Sequence, residues 1–391
     1  MRSFIASSWK NFAVVPRSQH SNQVISFQTR TKVSALSLTH RKRKGQKITM
    51  CTAYDFPSAV HVARADMDVI LVGDSVAMVE LGYDTTQPLT LEQSLHHCQA
   101  VQKGVQFADT KNPPLLVGDM PFGSYEYEDT DVALRNAYRF VKEAGMDAVK
   151  LEVRVRWWYF MLRSLYRWEL DGSTHAVGRQ GGSVSRARTA GKIVDGGIAV
   201  MGHIGLTPQA ISVIGGFRAQ GRTAVRARAL LDEALRLQDA GCFSIVLECV
   251  PANVAKAITD TLEIPTIGIG AGGGTSGQVL VFHDMLGMLS HPHHEQFVPK
   301  FCKKYASIGH IIQEGLQEYR QDVENGTFPG DDFAPYVMKE EERVAFEALL
   351  AQDEKERERK LQEADEKYVQ TDEYEKLQLY GAKENGASKK K

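Results

Sequence analysis

Between residues 48 and 283, short apolar runs alternate with longer segments whose apolar positions recur at helical spacing. The runs 48–54 (ITMCTAY), 68–74 (DVILVGD), 114–119 (PLLVGD), 147–152 (DAVKLE), 198–204 (IAVMGHI), 244–250 (SIVLECV), 265–270 (PTIGIG) and 278–283 (QVLVFH) read as strands buried on both faces. Between them, segments such as VALRNAYRFVKEAG and VRARALLDEALRLQDAG carry an amphipathic stripe. They close on Gly145 and Gly241, where a left-handed helix cap is expected. Strands in strict alternation with helices favour a (β/α)8 TIM barrel over an open sheet.

Four of these runs end on an acid: Asp74 in VILVGDS, Asp119 in PLLVGDMP, Glu152 in AVKLE and Glu248 in SIVLECVP. In a parallel barrel, that position is the rim where chemistry is built. Gathering carboxylates there is costly unless a cation or a proton joins them. Asp74 and Asp119 suit a hard cation such as Mg²⁺, with Glu152 ligating it directly or through water. Lys150 lies two residues before Glu152, so both point into the barrel, and its ammonium suits a substrate carboxylate or an enolate oxygen. Glu248, among Val246, Leu247 and Val250, reads as a desolvated general base, and His203 in MGHIGLTPQ as a donor to a ligand oxygen. The chemistry indicated is enolisation of a 2-oxo acid. Taken singly, a rim Asp also serves to cap a helix, and Lys150 or Glu248 to form a buried ion pair.

Composition narrows the class. The chain has 391 residues, is 43% hydrophobic and carries a net charge of −1, which offers no general attraction for nucleic acid or an anionic membrane. No apolar stretch approaches the roughly 20 residues of a membrane span. The five cysteines are odd in number and widely spaced, which suggests reduced core thiols.

Both ends depart from this average. Residues 1–46 carry Lys and Arg but neither Asp nor Glu, with many Ser and Thr, as a mitochondrial presequence does. A disordered basic arm has the same composition. The run RKRKGQK also fits a nuclear signal, although it lies beside a predicted strand. Residues 338–391 are rich in charges of both signs and read as a solvated, partly helical tail, leaving 47–337 for the barrel. GIGAGGG (268–274) matches a dinucleotide loop loosely and reads better as a close-packed barrel loop. His291, His293 and His294 read as a polar turn rather than a metal site.

The motifs TAYDFPSA, LVGDSVAMVELGYDTTQPLTLEQSLHH, DMPFGSY, AVKLE, GHIGLTPQ, GGFRAQGR, LECVP and IPTIGIGAG followed by GQVLVFHDMLG closely resemble the ketopantoate hydroxymethyltransferase family, over about residues 47 to 320. The resemblance implies a (β/α)8 enzyme of pantothenate synthesis. Such an enzyme moves a one-carbon unit from 5,10-methylenetetrahydrofolate to 3-methyl-2-oxobutanoate, giving 2-dehydropantoate. It further implies an Mg²⁺ site at Asp74, Asp119 and Glu152, and binding of the 2-oxo acid by Asp74, Ser75, Asp119 and Lys150. Glu248 would be the proton acceptor, and the chain would form a large homo-oligomer, commonly a decamer.

One segment breaks the pattern. After KLE the family continues with a Gly-Gly turn, whereas here residues 153–180 intervene before Gly181 and Gly182. Trp157, Trp158 and Trp168 lie within them, a composition foreign to the rest of the barrel. A lid or partner-binding loop is one reading. The favoured reading is an in-frame retained intron, because Val codons begin with GU and CAG encodes Gln. Two rival functions share the residues: another metal-dependent 2-oxo acid aldolase or lyase on the same barrel, and a catalytically impaired oligomer subunit whose site the insert has spoiled.

Overall fold

The computed structural model describes residues 31–153, 186–214, 219–288 and 300–379. Eight parallel strands close into a barrel in chain order. They are β1 (Ile48–Thr52), β2 (Val69–Val72), β3 (Leu115–Asp119), β4 (Ala148–Glu152), β5 (Ala199–Gly205), β6 (Ser244–Glu248), β7 (Thr266–Ile269) and β8 (Gly277–Leu280). β8 returns to β1 through the register Ile48↔Gly277 to Cys51↔Leu280. The (β/α)8 expectation is met. All eight strand positions read from the sequence hold, with ends shifted by up to three residues. The last run stops at Leu280 because Phe282–Leu286 turns into a helix.

Strand alternation sorts the side chains into two shells. Cys51, Ile70, Leu116, Val149, Val200 and Ile245 pack outward with helix residues such as Val101, Phe140, Ile193 and Leu237. Ile48, Met50, Val69, Leu115, Val117, Met201, Val246 and Val279 fill the barrel's interior. Each such burial is worth about 1.5–3 kcal/mol. The close approach of helix to sheet depends on Gly118, where an added Cβ would lie 2.5 Å from the Phe140 ring. Thr130–Lys142 and Ala224–Asp239 form helices, and beyond them Gly145 (φ +67°) and Gly241 (φ +89°) adopt the expected left-handed turn.

The domain boundaries move. Helix α1 (Ala35–Arg43), capped by Ser34, inserts Leu38 among the interior residues at the N-terminal end of the strands. Arg41 pairs with Asp68 at 2.7 Å, and Lys42 Nζ donates to the carbonyls of Thr259, Leu262 and Ile264. Lys47 Nζ donates to the Gly273 and Thr275 carbonyls. The RKRKGQK run therefore clamps the closed end of the barrel, and the boundary expected at residue 46 falls inside the folded unit. Residues 1–30, where the rest of the presequence reading falls, lie outside the described residues.

At the other end the chain divides at Ile311, earlier than the expected 337. Past that point, Glu340–Leu379 forms one long helix whose described side chains are exposed. Arg343 pairs with Glu340 and Glu347 along it, and Arg359 with Glu356 and Glu363. These i,i+3 and i,i+4 contacts are the side-chain pairs that a solvated helix can form along its own surface. Among the described residues, no helix is long and apolar enough to cross a membrane.

Candidate active site

Above the apolar interior, the inward positions turn polar. Strand register brings the chemistry together: Asp119 pairs with Lys150 across β3 and β4, Glu152 with His203 across β4 and β5, and Gly205 with Glu248 across β5 and β6. Asp74 follows β2, and its backbone N–H donates to Asp119 Oδ2 at 3.0 Å. The same oxygen accepts from Lys150 Nζ at 2.6 Å. Asp119, Lys150, Glu152 and His203 are all buried, Asp119 and Glu152 fully so. The ion-pair reading of Lys150 thus holds, but the pair stands inside a cluster of acids rather than apart from it. Ser75, at the mouth, shares a 2.7 Å hydrogen bond with the Tyr54 hydroxyl. The helix-cap alternative fails at Asp74, because the capping position of the short helix Val76–Val79 belongs to Ser75, which makes no side-chain cap bond.

Electrostatics follow from crowding in a dry site. Burial opposes charge on Lys150, yet Asp119, Asp74 and Glu152 outweigh it and hold the ammonium above its usual range. Burial raises Asp119, repulsion from Asp74 adds to that, and Lys150 opposes both. Burial, followed by the Asp74 charge, holds Glu152 well above the carboxylate range. Burial also pushes Glu248 up to about 8, with Asp74 adding and Lys150 opposing. The Glu248 side chain keeps 16% exposure and so stays open to solvent. His203 lies between two acids, with Nδ1 3.6 Å from Glu152 Oε1 and Nε2 3.1 Å from Glu248 Oε2. Protonated, it would form ion pairs with both. Burial and the Lys150 charge hold it well below its usual range, so the imidazole is neutral.

The donor set fits a cation. Asp74 Oδ2, Asp119 Oδ1 and Glu152 Oε1 are buried without a hydrogen-bond partner, a deficit that a bound cation relieves. Among the described residues, no three His, Cys, Asp or Glu side chains form a ready-made cage.

Sequence reasoning missed several contributors. Gln209, inside GHIGLTPQ, gives its N–H to Glu152 Oε2 at 3.1 Å. Tyr125, inside DMPFGSY, accepts from the Glu152 N–H at 3.1 Å. Arg186 donates to the Glu152 carbonyl at 2.9 Å. The motifs contained Gln209 and Tyr125 but gave them no role, because their contacts cross three strands. The GIGAGGG segment is a tight turn into β8: a Cβ at Gly268 would meet Thr275 Oγ1 at 2.7 Å, and no helix follows to bind a pyrophosphate. His291, His293 and His294 lie outside the described residues.

A sequence model described as ketopantoate hydroxymethyltransferase matches residues 32–167 and 162–331. The chain belongs to this family. The two matched stretches overlap at residues 162–167, inside the foreign segment. The chain is 52% identical over 307 residues to 3-methyl-2-oxobutanoate hydroxymethyltransferase 1, mitochondrial, of Oryza sativa subsp. japonica, covering 78% of this chain and 75% of that one. It is 48% identical over 331 residues to the protein of the same name from Arabidopsis thaliana, covering 85% and 83%. A bacterial 3-methyl-2-oxobutanoate hydroxymethyltransferase, from Heliobacterium modesticaldum, is 44% identical over 301 residues, covering 77% and 94%. Among solved structures, a phosphoenolpyruvate phosphomutase from Streptomyces platensis subsp. rosaceus matches with a TM-score of 0.44 at 14% identity, covering 83% of this chain and 98% of that one.

Proposed function

We propose that the chain transfers a hydroxymethyl group from 5,10-methylenetetrahydrofolate to 3-methyl-2-oxobutanoate, forming 2-dehydropantoate with consumption of one water and release of tetrahydrofolate. One observation supports this most: three buried carboxylates, each with an unpartnered oxygen, surround a single lysine beneath a fourth acid that keeps an opening to solvent.

Asp74, Asp119 and Glu152 would hold Mg²⁺, which when bound polarises the 2-oxo carbonyl and lowers the cost of forming an enolate. Lys150 stands beside Asp119 to attract the substrate carboxylate, and Ser75, fixed by Tyr54, supplies a hydroxyl at the mouth. Glu248 takes the proton from C3, and the electron pair of that C–H bond then forms the new C–C bond to the one-carbon unit. A carboxyl whose pKa is raised toward neutrality is a stronger base than an ordinary one. His203, neutral and 3.1 Å from Glu248, lies where it can steady the acid after it is protonated.

The test is Glu248→Gln. Hydrogen–deuterium exchange at C3 of 3-methyl-2-oxobutanoate, followed by NMR without folate, should be abolished, while binding of Mg²⁺ and the 2-oxo acid persists. Parent-like exchange in the variant removes Glu248 from the role of base. Turnover of the 2-oxo acid that does not need folate would favour the aldolase or lyase reading.

Residues 1–30 are proposed to direct import into mitochondria, in keeping with their basic, acid-free composition and with the mitochondrial designation of the Oryza sativa and Arabidopsis thaliana relatives. A homo-oligomer, commonly decameric as the family resemblance implies, is proposed as the working assembly.

A further inference from the structure

We propose that Tyr125 and Gln209 are positioning residues. In this view they form a closed hydrogen-bonded clasp that turns Glu152 so that one carboxylate oxygen, and only one, faces the metal-binding cluster. The inference rests on the metal site proposed above.

The clasp is a ring of donors and acceptors without a gap. The Glu152 N–H donates to the Tyr125 hydroxyl at 3.1 Å, and that hydroxyl donates to Gln209 Oε1 at 2.5 Å. The Gln209 backbone N–H returns to Glu152 Oε2 at 3.1 Å. The remaining amide donor, Gln209 Nε2, reaches the Met120 carbonyl just past β3 at 3.1 Å. Three strand ends are thereby tied through one side chain. Tyr125 is fully buried and Gln209 is 1% exposed, so no water competes for these bonds. The turn Pro208–Ala210 aims the Gln209 N–H, and the Arg186 guanidinium lies 5.4 Å over the Tyr125 ring while also holding the Glu152 carbonyl.

The consequence lies in what the ring leaves over. Glu152 Oε2 is consumed by Gln209, and Oε1 is left buried and unpartnered. Freed from the clasp, the carboxylate has a competing partner close by, since His203 Nδ1 is 3.6 Å from Oε1 and itself lacks a hydrogen bond. The clasp therefore decides whether Glu152 serves the cation or turns to the imidazole. Groups that orient a ligand in this way typically change metal affinity by 10–100-fold when removed.

The experiment uses the full chain and Mn²⁺, with the free ion followed by electron paramagnetic resonance, for the parent, Tyr125→Phe, Gln209→Leu and the double variant. Each single variant should bind Mn²⁺ about 10-fold more weakly, and the double variant no more weakly than the worse single, because both break one ring. Thermal midpoints are measured alongside. Variants that melt earlier yet bind Mn²⁺ as the parent does show a purely structural clasp and overturn the inference, as does an additive double variant. A parent chain that binds no Mn²⁺ overturns the metal reading itself. Should Gln209→Leu fail to fold, Tyr125→Phe decides alone, since it keeps the ring beneath Arg186.

Discussion

Deleting residues 153–180, so that Glu152 joins Gly181, should raise folate-dependent hydroxymethyl transfer and improve solubility. The structure bounds the geometry. Arg186 Nη1 lies 2.9 Å from the Glu152 carbonyl oxygen, so with a side chain roughly 7 Å long, and about 2.4 Å from that oxygen to its own Cα, the two Cα atoms are within about 12 Å of each other. Residues 181–185 remain to bridge that gap, and an extended stretch of that length spans roughly 17 Å, so the junction closes without pulling on β4.

Two energies then oppose each other. Shortening the connection from roughly 33 residues to roughly 5 lowers the loop-closure cost by about 1.7 kcal/mol. Against this, Val153 is itself buried, at 1% exposure, and its loss costs about 1.5–3 kcal/mol. Its backbone bond to the His203 carbonyl, at 2.7 Å, can be remade by Gly181. Net stability should therefore change by no more than about 1–2 kcal/mol, a few degrees in thermal midpoint. Activity should gain more, because a 28-residue aromatic- and arginine-rich segment no longer leaves the strand end that carries Lys150 and Glu152, where shifts of about 1 Å are enough to lose near-attack geometry. The assay is tetrahydrofolate and 2-dehydropantoate formation by parent and deletion chains at equal concentration, with soluble yield and melting curves. If the deletion removes activity that the full chain possesses, the segment is a working lid and the intron reading is wrong. Mass spectrometry of native peptides across residues 150 to 185 addresses the same question from the cell.

Further outcomes follow from the charge cluster and the packing beneath it. Asp74→Ala and Asp119→Ala should each lose Mg²⁺ activation and affinity for the 2-oxo acid, and Asp119→Ala should also destabilise by about 3–5 kcal/mol because Lys150 is left buried without its partner; normal Mg²⁺ activation in either would remove that residue from the metal site. C3 exchange in the metal-free protein should rise with pH as Glu248 ionises, up to about 8, and added Mg²⁺ should move that limb downward by favouring the charged carboxyl. Between 4.5 and about 8 the unfolded chain releases this proton while the folded chain retains it, so metal-free stability should fall as pH rises through that window. Glu248→Gln should flatten the exchange limb and remove only its own share of the stability slope, since Asp119 and Glu152 are raised as well; a slope in urea melts as steep as the parent's up to about 8 would refute the assignment. Gly118→Ala should cost roughly 1–3 kcal/mol, read from urea midpoints, because its Cβ would press on Phe140 at 2.5 Å.

Most of the barrel was legible because a strand buried on both faces leaves a compact apolar run, and each run here is followed by a rim residue. The same regularity exposed Asp74, Asp119, Glu152 and Glu248, since an acid at the end of such a run has few reasons to be there. Boundaries were less legible. The basic segment 41–47 has the composition of a leader or a nuclear signal, and nothing local reveals that Lys42 finds three backbone carbonyls between residues 259 and 264. Long-range satisfaction of that kind carries no sequence period. The roles of Tyr125 and Gln209 were hidden for the same reason: tyrosine after a serine and glutamine after a proline are ordinary turn residues until three strand ends converge on them.

The two halves of the barrel interior explain why the fold tolerates so unfavourable a site. Its lower layers, from Ile48 and Val69 to Val246 and Val279, are uniformly apolar and are sealed by Leu38 of α1. They stabilise the closed sheet independently of what stands above. The upper layer is then free to hold Asp119, Lys150, Glu152 and Glu248 in a register fixed by β-sheet hydrogen bonds rather than by the charges themselves, with Asp74 just past β2. A repulsive cluster on a rigid frame stays preorganised, whereas the same residues on loops would separate to relieve their repulsion. The unpartnered oxygens of Asp74, Asp119 and Glu152 are thus a strain that the frame sustains and that a cation bound at the proposed site would release, so that binding and folding would draw on separate layers of one barrel.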